Sequence, residues 1–116
     1  MKALYLTGKA EVEIRDIPIP ECPDGGLVIK VDSVGLCGSD VRTYSVGSAK
    51  IDYPVILGHE NAGYVHEVGK NVTGFAACEK VVANPCVPCG HCYYCVNKIP
   101  GLCDNLAVAG TSFAGG

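Results

Sequence analysis

Cys89, Cys92, Cys95 and Cys103 follow one another as C-x2-C-x2-C-x7-C, and thiolates so spaced suit a single tetrahedral metal ion. Two-residue gaps let a tight turn aim successive sulfurs at one point. The longer loop then returns the fourth to close a zinc cage with Zn–S of about 2.3 Å. Pro85, Pro88, Gly90, Pro100 and Gly101 punctuate the segment and predict neither a regular helix nor a long strand there. Three other chemistries fit less well. With Cys86 included the run reads C-x2-C-x2-C-x2-C, which misses both the last gap and the proline of the C-x2-C-x2-C-x3-C-P iron–sulfur pattern. A zinc ribbon for nucleic acid sets its two CxxC knuckles about 15–20 residues apart, whereas these overlap. A disulfide staple belongs to a secreted protein, and Thr7, Gly8, Lys9, Glu11 and Glu13 break any apolar stretch a signal peptide would need.

A second group joins Cys37-Gly38-Ser39-Asp40 to Gly58-His59-Glu60, with Val34, Leu36, Val55, Ile56 and Leu57 on the flanks. A thiolate and an imidazole at strand ends beside a core form the mixed ligand set of an open zinc site. Residue type alone leaves a plainer reading in play, because a lone cysteine is usually a small buried hydrophobe and a strand-end histidine a solvated one. The remaining candidates have bland readings. His66, beside Glu67, is expected in water, and His91 finds no vacancy on an ion already held by four thiolates. Cys22 is a loop thiol near Pro20 and Pro23, and Cys86 is expected to pack against the cysteine lobe. Tyr93 and Tyr94 would stack bases only in a basic groove, which Lys98 alone does not make.

Short strands must position these residues. Alternation and Gly or Pro boundaries predict strands at residues 2–6, 12–17, 27–34, 62–68 and 79–83, and a helix at 39–46 with Asp40 near its start. Val12 and Ile14 alternate with Glu13 and Arg15, and in the strand at 27–34 Leu27, Ile29 and Val31 are expected to look inward, against Lys30 and Asp32 in water. Such short strands joined by turns favour a mainly β barrel or sandwich. At 116 residues, with 48% hydrophobic and 18% charged, the chain makes one folded domain, residues 1–116, with the cysteine lobe at 84–104. A net charge of −3 offers no footprint for nucleic acid. The longest apolar run, residues 92–96, is five long, far below the ~20 that cross a bilayer. A cytoplasmic setting without membrane contact is the default expectation.

Gly58 to Val72 matches G-H-E-x-x-G-x5-G-x2-V at every defined position, a signature of zinc alcohol dehydrogenases. With Gly35-Leu36-Cys37-Gly38-Ser39-Asp40 upstream and the four cysteines downstream, the chain closely resembles the catalytic domain of the medium-chain zinc-dependent alcohol and polyol dehydrogenases over essentially its whole length. The resemblance implies a GroES-like, partly open β-barrel. It implies that Cys37 and His59 ligate a catalytic zinc, with Glu60 coordinating when the substrate position is vacant, while Asp40 hydrogen-bonds the far nitrogen of His59. Ser39 would pass the substrate proton toward solvent, as zinc, acting as a Lewis acid, lowers the hydroxyl pKa and hydride leaves for NAD(P) in the full-length parent. Cys89, Cys92, Cys95 and Cys103 would hold a separate structural zinc.

The chain departs from that pattern in three places. No G-x-G-x-x-G is present to hold a dinucleotide, and the family's further catalytic-zinc ligand is missing too, so an incomplete catalytic ligand set on an excised or truncated domain, or a gene remnant, without turnover is expected. An exposed apolar face that favours self-association is expected with it. Arg42 stands where some members carry a relay histidine, and its guanidinium suits oxyanions or is simply an exposed helix charge. Cys78 stands where the family usually has glycine, which predicts backbone strain of about 1 kcal/mol if the turn needs positive φ. The second functional reading, from another class, is a non-catalytic zinc-stabilised β-domain serving as a fold or interaction module.

Overall fold

Lys2–Gly8 and Glu11–Asp16 form the antiparallel hairpin of strands β1 and β2, with Leu4 opposite Ile14 and Leu6 opposite Val12. In the computed structural model, which describes residues 1–49 and 51–116, the other edge of β1 pairs with a two-residue strand, β4 (Val55–Ile56). Leu6 sits between both partners and is 2% exposed, whereas Val12 and Ile14, the apolar half of the β2 alternation, face outward.

The second sheet has the order β3-β5-β6, from Leu27–Gly35, Glu60–Val68 and Lys80–Val82. Its register breaks between Val28 and Ile29 and again between Val31 and Ser33. Each break shifts the side chains by one position and exchanges the faces. The expected inward set is therefore corrected: Val28 is buried, Leu27 and Ile29 are half-buried, and Val31 is exposed. Val65 on the middle strand is the deepest core residue at 1% exposed.

Helix α1 (Gly38–Val46) follows β3 directly, one residue earlier than predicted. The hairpin turn is tied to it where the Ala10 N–H donates to the Tyr44 carbonyl at 2.9 Å. The segment predicted to lack a helix holds one turn of it, α2 (Tyr93–Val96), followed by a 3-10 turn at Pro100–Leu102. Its prolines lie outside α2, and the Val96 N–H reaches the Cys92 carbonyl at 3.1 Å. Strands β7 (Cys86–Val87) and β8 (Ala107–Val108) pair across the base of this lobe. The fold is mainly β, as expected.

Among the described residues few side chains are buried: Leu6, Val28, Ile51, Val65, Cys103, Ala109 and one charged group, Asp40. The molecule is a slab of 41 × 37 × 20 Å. Its surface of 7865 Å² exceeds the about 6,000 Å² of a compact monomer of this mass. No helix among the described residues is long and apolar enough to cross a membrane.

Candidate metal centres

Gly35 and Glu60 are register partners, the last rung between β3 and β5. One chain leaves that rung toward Cys37 and the other enters it from His59, so the ladder end brings two distant sequence motifs together. Gly58 sets the approach of His59: its φ is 96°, and a Cβ there would stand 2.8 Å from Val34 Cγ1. Both the angle and the space select glycine. The ligand atoms of Cys37, His59 and Glu60 then lie within 4.8 Å of one another, with Cys37 and His59 half-buried and Glu60 exposed.

Asp40 organises this group from α1. Its Oδ2 accepts the Cys37 N–H at 3.0 Å and its Oδ1 stands 3.5 Å from His59 Nδ1. The second distance is longer than that of the implied hydrogen bond, which would be about 2.7–3.2 Å. With Nδ1 turned to Asp40, Nε2 is the free ligand atom of His59. The Ser39 hydroxyl, the Ser39 N–H and the His59 ring all favour the Cys37 thiolate and hold its pKa below the ordinary thiol value, against partial burial and the charge of Glu60. A site that stabilises a thiolate beside an imidazole and an exposed carboxylate suits zinc with one position open.

The lobe forms the other group. The sulfurs of Cys89, Cys92, Cys95 and Cys103 lie within 4.8 Å of one another, at 3.5 Å for Cys92–Cys95 and 3.9 Å for Cys89–Cys95 and Cys92–Cys103. Four sulfurs at a Zn–S distance of about 2.3 Å stand about 3.8 Å apart at the corners of a tetrahedron, so the cage fits that ion. Backbone amides are aimed at it. The Cys89 N–H lies 3.3 Å from Cys103 Sγ, and the N–H groups of Asp104 and Cys95 bring the Cys92 thiol down to about 6. The amides of His91 and Cys92 lower that of Cys89. Withdrawal from water pushes the Cys95 thiol up to about 12.

Other candidates fall outside both groups. Cys86, expected to pack against the lobe, is exposed in β7, where its backbone pairs with Val108. It is absent from the sulfur cluster, which removes the support for an iron–sulfur site on residues 86–95. All eight cysteines are free thiols, so the disulfide staple is not formed. His66 is exposed, and His91 turns its Nδ1 to the Cys89 carbonyl at 2.9 Å. Cys22 is a half-buried loop thiol, and Tyr93 meets Tyr94 edge-on. Arg42 is exposed on α1 and has no ion pair among the described residues. Cys78 has a φ of 67°, the conformation its glycine-like position implied.

The family description "Alcohol dehydrogenase GroES-like domain" matches residues 23–116. The chain belongs to that family. Sorbitol dehydrogenase of Bombyx mori is 41% identical over 104 residues, covering 87% of this chain and 30% of the relative. The crystal structure of galactitol-1-phosphate dehydrogenase from Escherichia coli superposes with a TM-score of 0.93 at 31% identity, over 100% of this chain and 34% of that one. An alcohol dehydrogenase from Escherichia coli CFT073 complexed with NADH gives 0.89 at 35% identity, over 100% and 34%. The chain spans about a third of the length of the relatives it matches. The GroES-like fold of zinc-dependent medium-chain dehydrogenases, expected from the motifs, is thus the fold of this family member.

Proposed function

We propose that the chain is the metal-holding, catalytic domain of a zinc-dependent dehydrogenase that oxidises an alcohol or polyol with NAD(P). Cys37, His59 and Glu60 hold the catalytic zinc, and Cys89, Cys92, Cys95 and Cys103 the structural one. The observation that carries this reading is the presence of two ligand sets of opposite kind on one small domain. One is a closed cage of four sulfurs, and the other is an open, mixed trio at a strand end. A purely structural domain needs only the first. The sorbitol and galactitol-1-phosphate dehydrogenases among the relatives support a polyol, and the relative complexed with NADH supports a nicotinamide cofactor.

Zinc bound at the open trio would supply Lewis acidity, lowering the pKa of a substrate hydroxyl toward neutrality. The chain's own residues do the rest. Asp40, with Oδ1 3.5 Å from His59 Nδ1, orients the imidazole ring. Ser39, exposed and with its hydroxyl against Cys37, is placed to hand a proton from the site to water. Glu60, exposed at the rim, would serve as a ligand to that ion when no substrate is bound. Eight reduced thiols agree with a cytoplasmic setting.

Metal analysis of protein purified without added metal tests the proposal. About two zinc ions per chain are expected, one of them easily exchanged. A single ion, lost only on denaturation, would leave the zinc-stabilised β-domain instead. Zinc-loaded chain alone is expected to produce no NAD(P)H from polyols, since no G-x-G-x-x-G lies within these residues.

A further inference from the structure

We propose that Gly35 is a positioning residue of the open site: its missing side chain is the space in which the Glu60 carboxylate turns toward Cys37 and His59. This rests on the reading of Cys37, His59 and Glu60 as zinc ligands. The three atoms nearest to a Cβ built on Gly35 all belong to Glu60: Oε2, which would collide, Cβ at 2.9 Å and Cδ at 3.2 Å. Gly35 has no positive φ, unlike Gly58, so the backbone does not demand glycine here; the carboxylate does. The pair is also the last rung of the β3–β5 ladder. Rotating the Glu60 carboxylate away would relieve the collision at Oε2 and leave the tight approach at Cβ. Any larger residue at 35 therefore both evicts the carboxylate from the trio and strains the rung that spaces Cys37 from His59.

A double-mutant cycle tests this in the full chain. Gly35→Ala is expected to weaken the second zinc about 10- to 100-fold, the usual cost of losing a ligand's support, while the lobe zinc stays bound. With cobalt in place of zinc, the visible absorption of the open site should change to that of the Glu60→Gly variant. Glu60→Gly removes the three atoms nearest to a Cβ at 35. In that background Gly35→Ala is expected to cost no further affinity and to fold even where the single variant does not. Wild-type affinity in Gly35→Ala, or a double variant weaker or less stable than Glu60→Gly, would overturn the proposal alone. One zinc per wild-type chain would overturn it together with the reading it rests on.

Discussion

Asp40 shows how much one residue carries: a single carboxylate, 6% exposed, accepts the Cys37 amide with one oxygen and faces His59 with the other. Removing it leaves an N–H without its acceptor and an imidazole without its orienting charge. Asp40→Ala is expected to weaken the exchangeable zinc by about 10- to 100-fold, read by chelator competition, with the lobe ion unaffected. Cys78 is the converse case, a residue at odds with its backbone. At φ 67° its exposed side chain gains little to offset the left-handed conformation. Cys78→Gly is expected to raise stability by about 1 kcal/mol, or about 4 °C in Tm, and a lower melting temperature would show the turn to be relaxed. Both residues were legible through the family resemblance, which implies a partner of His59 at Asp40 and a glycine position at Cys78. Gly35 was not: nothing in a glycine near a strand end says whether an angle, a turn or a neighbour's carboxylate requires it.

Among the elements, strands of three residues or more were legible, β6 included, and the two-residue strands were not. β3 and β5 show apolar runs bounded by turns, while β4 and β8 are two residues each and carry no period to detect. The bulges in β3 hid from the alternation the fact that Val28, rather than its neighbours, is buried. The lobe was read from its ligands, and its helical turn escaped notice because the metal spacing, more than helix propensity, organises it. On the proposed reading the lobe depends on its ion. Cys103 is 8% exposed, and its sulfur accepts the Cys89 amide. Cys103→Ser is expected to abolish the tightly held zinc and to speed amide exchange throughout 86–108, while β3 and β5 keep their protection. Thiols must shed protons to bind, so lobe zinc is expected to be released as pH falls and retained as it rises, whether followed by a chromogenic chelator or by mass.

At the scale of the molecule, a slab only 20 Å thick has little interior. Leu4 and Ile14 face each other across the hairpin and, with Val12, leave an apolar patch in water. A second copy of the chain is expected to cover it. Sedimentation should show association that grows with concentration, and Ile14→Lys should suppress it. The distribution of sulfur has another consequence. Five of the eight thiols belong to the two ligand sets, Cys22 is half-buried, and only Cys78 and Cys86 stand exposed. A colorimetric thiol reagent should therefore find two fast-reacting groups in the loaded chain and progressively more as ions are withdrawn, which turns the protein's own cysteines into a gauge of its metal occupancy.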